Sequence, residues 1–312
     1  MFLPTTSGSS RENETWEVES VLEPWEYEPA FMYSPLDRLA AAIFVACENP
    51  GERLMGLFSA YFDASGNGLD QPRVIVSGYI ANYWQWKLFE RSWDLAHANF
   101  EVERPFHMAE FASAVEYPQS YANQKNARPD YVTIAQKPDR AMEFLSTLTN
   151  IQMCGVLCGI SAIIDLQIYE SINSIMDLRS VVPPYALGAR MCLSNVRKWE
   201  KTFNMKEPVE CVFEDGDFEQ GKFTQLMIDE GETCPIYRKK REFAGLEAAD
   251  MYAWEQAHFL RRVNINSQIE ARKEFKVLLH AVPKIHTHAP QETLLRLCYA
   301  KGIDVRGLKN GD

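Results

Sequence analysis

The stretch Leu57-Phe-Ser-Ala-Tyr-Phe-Asp63, followed by Ala-Ser-Gly-Asn-Gly, decides the fold. An unbroken run of aromatic and apolar residues of this length is typical of a buried strand, and a Gly-rich segment after it is typical of a turn. Residues 73–81, Arg-Val-Ile-Val-Ser-Gly-Tyr-Ile-Ala, form the next such run, so the pair predicts a β-hairpin. A third apolar run, over residues 153–164, predicts a buried central strand.

Helices and short strands alternate through the rest of the chain. Apolar periodicity, and prolines that open a first turn, predict helices at residues 36–47, 84–100, 139–149, 183–203, 218–228, 246–262, 269–279 and 291–300. Short strands are predicted at residues 209–213 and 234–237, and a long polar loop at residues 116–137. Three leading strands followed by alternating units indicate an α/β domain whose later strands pair in parallel between layers of helices.

Three regions are predicted along the 312 residues. Residues 1–35 form an acidic, flexible tail, because residues 1–30 hold seven acids against one base and lack apolar periodicity. Residues 36–265 form the α/β domain, with a helical insertion at about 84–150, and residues 266–312 form a C-terminal helical extension. Alternatively, the aromatic residues of the tail anchor it to a protein partner.

Composition excludes several classes of protein. Seven scattered cysteines without a Cys-x-x-Cys pair favour reduced thiols and a cytoplasmic protein over a disulfide scaffold. No apolar run is long enough to span a membrane, and the first residues do not resemble a signal peptide. The net charge of −11 opposes a general nucleic-acid coat, although residues 235–312 carry 14 bases against nine acids and remain compatible with a local phosphate-binding surface.

Three acids stand out by position. Asp63 ends the first strand, Glu214 follows the strand at residues 209–213, and Asp250 lies on the apolar face of the helix at residues 246–262. Ligands of open α/β sheets gather at the carboxyl ends of strands, so these carboxylates are expected to converge. Their mutual repulsion is relieved by a hard divalent cation, Mg²⁺ or Mn²⁺, and the chemistry this favours is phosphodiester hydrolysis. The alternative is that each acid has a local role, in a turn, at a loop or in an ion pair with an arginine.

At these residues the sequence resembles the RNase H-like superfamily and, within it, the bacterial domain-of-unknown-function family 3800. The resemblance is carried by four motifs: Tyr61-Phe-Asp-Ala-Ser-Gly66, Phe106-His-Met-Ala-Glu-Phe111, Val212-Phe-Glu-Asp-Gly216 and Leu246-Glu-Ala-Ala-Asp250 with Ala253-Trp254. It implies a mixed five-stranded sheet with flanking helices, and a metal site formed by Asp63, Glu214 and Asp250. Nucleic acid is the substrate or partner that this implies.

The sequence departs from the family pattern at Ala64, where a Glu is usual, and in the helix at residues 183–203, which offers only Glu200 near its far end. A fourth metal ligand is therefore not evident. The candidates are Asp215, taken as the first choice, and Asp217, Glu110 and Glu247.

Several other residues are candidates for substrate contact. Ser65, beside Gly66, lets the backbone approach a phosphate, or else only forms the turn. His107 orients the substrate or carries a proton, unless it is a structural histidine. The run Arg238, Lys239, Lys240 and Arg241 is expected to contact a phosphate backbone, its alternative being a solvated surface run.

The primary hypothesis is thus a metal-dependent nuclease or related phosphoryl-transfer enzyme. The second is a catalytically inactive module of the same fold that binds nucleic acid or a protein partner, in a bacterial defence or mobile-element system. Zinc is disfavoured, because the histidines near the C-terminus have no partner at zinc-finger spacing.

Overall fold

The computed structural model describes residues 57–66, 71–217, 219–265 and 270–300. The acidic tail at residues 1–35 and the helix predicted at residues 36–47 lie outside this described part. Across the described part, no helix combines the length and the apolarity needed to cross a bilayer.

Six strands form one mixed sheet. They are β1 (Phe58–Ser65), β2 (Arg73–Asn82), β3 (Cys158–Asp165), β4 (Glu210–Glu214), β5 (Ile236–Arg238) and β6 (Lys284–His288), in the order β5-β4-β1-β2-β3-β6. β1, β2 and β3 pair antiparallel as a meander. β4 lies parallel to β1, β5 parallel to β4, and β6 parallel to β3. The predicted meander and parallel units are therefore both present.

The sixth strand corrects two expectations, a five-stranded sheet and a wholly helical C-terminal extension. β6 pairs with β3 from Gly159↔Lys284 to Ile163↔His288. It covers backbone groups that β3 would otherwise leave unpaired at the edge of the sheet. Only five residues long and rich in histidine, β6 carries too weak an apolar alternation to be recognised from the sequence.

Twelve α-helices are described, and they cover both faces of the sheet. They are α1 (Tyr83–Phe100), α2 (Met108–Glu116), α3 (Pro118–Ala122), α4 (Pro129–Ala135), α5 (Pro138–Gly155), α6 (Leu166–Met176), α7 (Leu178–Val181), α8 (Pro184–Thr202), α9 (Gln220–Asp229), α10 (Ala244–Ile265), α11 (Lys273–Ala281) and α12 (Gln291–Ala300). A 3₁₀ helix, Lys240–Glu242, joins β5 to α10. Residues 116–137, predicted as a loop, contain α3 and α4, each with a proline in its first turn.

Alternation along β1 divides the core between the two faces. Tyr61 packs with α1 and α10 on one side of the sheet, while Ala60 and Phe62 pack with α8 and α9 on the other. At Gly245 on α10, an added Cβ would lie 2.5 Å from the Tyr61 ring, so the helix lies directly on the strand. This close packing holds α10, which carries Asp250, above the end of β1.

Glu255 on α10 gives the fold a pH dependence. Its side chain is 1% exposed, and burial raises its pKa from 4.5 to about 7, although Arg272, 3.7 Å away, opposes the shift. A carboxyl group with a raised pKa in the folded state stabilises the protein below its unfolded pKa, and that contribution is lost as the pH rises from about 4.5 to about 7.

Glu255→Gln removes this titration, so the variant should gain stability relative to the wild type by about 3 kcal/mol between pH 4.5 and pH 8. The free energy of unfolding, measured in urea across that range, checks the slope. Glu143→Gln, a change of an exposed acid on α5, is the matched control. A difference between Glu255→Gln and the wild type that does not vary with pH would contradict the prediction.

Candidate functional site

Asp63 is buried at the carboxyl-terminal part of the central strand β1. Its side chain is 2% exposed, and its Oδ1 accepts a hydrogen bond from the Ala64 backbone N–H at 2.6 Å. Gly66, three residues on, has φ +89°, a conformation that glycine adopts without strain.

Glu214 and Asp250 reach the same place from two other elements. Glu214 is the last residue of β4, and β4 runs parallel to β1, so the carboxyl ends of both strands meet at one edge. Asp250 lies on α10, which packs across β1 and β2. One of these contacts is the stacking of Tyr252 on Tyr79, whose ring centroids are 4.8 Å apart. We refer to Asp63, Glu214 and Asp250 as the carboxylate cluster.

Lys240 joins the three carboxylates. Its Nζ lies 2.7 Å from Asp63 Oδ2, 2.9 Å from Glu214 Oε2 and 3.2 Å from Asp250 Oδ1. The Lys240 side chain is only 7% exposed, so its ammonium group is enclosed by the acids. Lys240, one of the four bases that were expected to contact a phosphate backbone, therefore points into the carboxylate cluster.

The electrostatics of the cluster follow from burial and crowding. Burial raises the pKa of Asp63 well above its usual value, and Asp250 and Glu214 add to this, while Lys240 opposes it. Burial by itself would lower the pKa of Lys240, but the three carboxylates outweigh burial and raise it. One ammonium group thus holds together three acids that would otherwise repel one another.

The helical insertion reaches the cluster through its second helix. The Met108 backbone N–H donates to Asp250 Oδ2 at 2.7 Å, and His107 immediately precedes α2. The His107 N–H donates to Tyr131 Oη at 2.9 Å, which fixes the backbone. Burial and the nearby Lys240 lower the pKa of His107, which favours a neutral imidazole beside the acids.

Asp217, another of the acids considered as a fourth ligand, lies close to Glu214. Burial and the neighbouring Glu214 raise its pKa to about 7, whereas the nearby Tyr185 hydroxyl opposes the shift. Asp215, the first choice for a fourth ligand, is exposed, and its Oδ1 lies 3.4 Å from Gln220 Nε2. The only sequence signal for Asp217 was its place three residues after Glu214, in a turn whose direction the sequence does not specify.

The residues predicted to contact a substrate differ in their exposure to solvent. Arg238 is half-buried and donates from Nη1 to the Tyr237 carbonyl at 2.9 Å, whereas Lys239 and Arg241 are exposed. The four bases therefore do not form one exposed surface, since Lys240 is buried and Arg238 is half-buried. Ser65 is half-buried at the end of β1.

Two further acids named as alternative ligands are paired elsewhere or exposed. Glu247 is fully buried in an ion pair with Arg104, with Nε to Oε1 at 2.5 Å. Glu110 is exposed on α2.

A divalent cation does not fit the cluster as it stands. The oxygen donors are of the type that Mg²⁺ and Mn²⁺ prefer. Their common centre, however, is occupied by the Lys240 ammonium group, and in the part of the chain that the structure describes no three His, Cys, Asp or Glu residues are placed to hold a metal ion. A metal would require Lys240 to move.

Comparisons with known proteins give one distant likeness. No family model matches the chain, so the resemblance to family 3800 gains no support from that comparison. No curated protein matches either. A solved structure described as Bst-RNase HIII in complex with Mn²⁺ aligns with a TM-score of 0.37 and 11% identity, over 70% of this chain and 56% of that one. The chain spans little more than half the length of that protein.

Proposed function

We propose that this chain is a nuclease, or a related phosphoryl-transfer enzyme, of RNase H-like fold that acts on nucleic acid. The observation that carries the proposal is the convergence of Asp63, Glu214 and Asp250, from β1, β4 and α10, on one buried centre. Burying three acids together is costly, and such arrangements concentrate at functional sites. The mixed sheet, with its meander and parallel strands, suits the same proposal.

Roles for the surrounding residues follow from their positions. We propose Mg²⁺ or Mn²⁺ as the cofactor of the carboxylate cluster, with Asp217 in place of Asp215 as the additional acid. His107, beside Asp250, is suited to orient a substrate or carry a proton. Lys239 and Arg241, both exposed next to the cluster's lysine, and Ser65 are suited to contact phosphate.

Lys240 favours a second candidate function. Because its ammonium group already offsets part of the charge of the acids, the chain would also be stable as an inactive module that binds nucleic acid or a protein partner. In that case the acidic residues 1–35 are the proposed docking segment, and a bacterial defence or mobile-element system is the proposed setting. A cytoplasmic location is proposed for either function, in keeping with the free cysteines of the described residues.

Incubation of the purified protein with single-stranded DNA, duplex DNA, RNA and RNA–DNA hybrid tests the two candidates. Each substrate is tested with Mn²⁺, with Mg²⁺ and with a chelator. We expect cleavage of at least one substrate with metal and none with the chelator. Glu207→Gln, which alters an exposed acid outside the cluster, should cleave like the wild type. Binding without cleavage under every condition would favour the inactive module.

A further inference from the structure

We propose that Lys240 is an internal cation that competes with a divalent metal ion for the carboxylate cluster, so that a metal enters only as the ammonium group leaves. The inference rests on the proposed function only in taking a divalent metal as the cluster's second occupant. It assigns to Lys240 a role in controlling metal entry, in place of direct phosphate contact.

The geometry places Lys240 where a shared cation would lie. All three carboxylates present an oxygen to Nζ within 3.2 Å, and each oxygen comes from a different element of the fold. A metal ion coordinated by the same oxygens would need the same volume. Ammonium and metal therefore exclude each other sterically as well as electrostatically.

The charge of the carboxylate cluster favours replacement of the Lys240 ammonium group by a divalent ion. One ammonium group supplies a single positive charge, whereas three carboxylates contact it, so the positive charge at the centre of the cluster is smaller than the charge of the acids around it. A divalent ion supplies twice the positive charge to the same oxygens, and carboxylates are ligands that it prefers. The lysine regains hydration when it leaves, which offsets part of the lost attraction.

The position of Lys240 in the fold allows it to leave. It opens the three-residue 3₁₀ helix Lys240–Glu242 between β5 and α10 instead of lying inside a long element. The residues before and after it, Lys239 and Arg241, are exposed, so the backbone at Lys240 lies close to solvent. The lysine side chain is a flexible four-carbon stem, and rotation about its bonds can withdraw the ammonium group without moving the backbone.

Lys240→Gln, with Lys239→Gln as the matched control, tests the competition. Both changes remove one positive charge from the same segment, but only the first removes it from the cluster. A positive charge in contact with a carboxylate shifts its proton affinity by about one to three orders of magnitude. We therefore expect Lys240→Gln to bind Mn²⁺ about tenfold more tightly or better, by titration calorimetry with MnCl₂ alone. The control should match the wild type. Equal Mn²⁺ affinity of all three folded proteins would overturn the proposal.

A second measurement uses the wild-type protein and does not depend on the folding of a variant. Lysines are acetylated with and without saturating Mn²⁺, and the extent of modification at each position is read by mass spectrometry. We expect Lys240 to be protected without metal and several-fold more reactive with it, while Lys239 stays unchanged. Bound Mn²⁺ with Lys240 still protected would show that the ammonium does not leave, and would overturn the inference.

The outcomes separate this inference from the proposed function. Tighter Mn²⁺ binding by Lys240→Gln without cleavage of any nucleic acid would support the exchange and reject the nuclease. Metal-dependent cleavage with identical Mn²⁺ affinity in wild type and variant would support the nuclease and reject the exchange.

Discussion

Asp63→Asn is expected to lower the rate of metal-dependent cleavage by more than about a hundredfold. Replacing a residue that only orients a metal ligand already lowers metal affinity or activity by about 10- to 100-fold, and Asp63 is itself a proposed ligand. Asp63 is the most deeply buried acid of the cluster and contacts the ammonium group most closely. Asparagine keeps the shape of the side chain but removes its charge. Initial cleavage rates at saturating Mn²⁺, for wild type and variant side by side, give the ratio.

The fold should survive this change. Burial and two neighbouring acids raise the pKa of Asp63, so an uncharged side chain relieves repulsion between the acids. Glu214 and Asp250 remain as partners of the Lys240 ammonium group in the variant. Circular dichroism and the urea midpoint of Asp63→Asn should therefore stay close to those of the wild type. Cleavage that persists in Asp63→Asn at the wild-type rate would exclude the carboxylate cluster as the site.

Glu247→Ala is expected to destabilise the protein by about 3 kcal/mol or more, since removing one partner of a buried ion pair leaves the other uncompensated. Glu247 is fully buried on α10. Its carboxylate accepts from Arg104 Nε at 2.5 Å, from Trp93 Nε1 at 2.9 Å and from the Phe106 N–H at 2.8 Å. These donors belong to α1 and to the segment before α2, so one side chain ties the insertion to the last helix of the site.

Urea unfolding monitored by circular dichroism measures the loss. Glu143→Ala, an exposed acid on α5, should change the free energy of unfolding by less than about 0.5 kcal/mol. Because Met108 and His107 follow the segment held by Glu247, the variant should also loosen the contact of α2 with Asp250. A loss below about 1 kcal/mol for Glu247→Ala would mean that the Glu247 contacts contribute little net stability.

Local pattern predicted most of the elements. The helix expected at residues 84–100 is α1, Tyr83–Phe100, and the helix expected at residues 246–262 is α10, Ala244–Ile265. Their apolar residues recur with the helical period, which the sequence displays directly. The strand expected from residue 153 begins only at Cys158, because apolar residues of a buried helix end look like those of a buried strand.

The position of the three acids was also accessible to reasoning, but Lys240 was not. Strand ends and helix faces are set by local periodicity and by the rule that parallel strands end at one edge, so the meeting of Asp63, Glu214 and Asp250 could be expected. Lys240 lies in a run of four consecutive bases, and nothing in the sequence distinguishes it from the other three. Which one turns inward depends on the 3₁₀ helix after β5 and on the packing of α10, and both are tertiary features.

The sequence by itself therefore determined most of the elements of this protein, its mixed α/β class and the acids of its candidate site. Only the tertiary structure decided the sixth strand, the exposure of Asp215 and the ammonium group at the centre of the cluster. The physical reason is the range of the interactions. Hydrophobic periodicity acts between residues a few positions apart, whereas edge pairing and charge compensation join β3 to β6 and Lys240 to Asp63 across long stretches of chain.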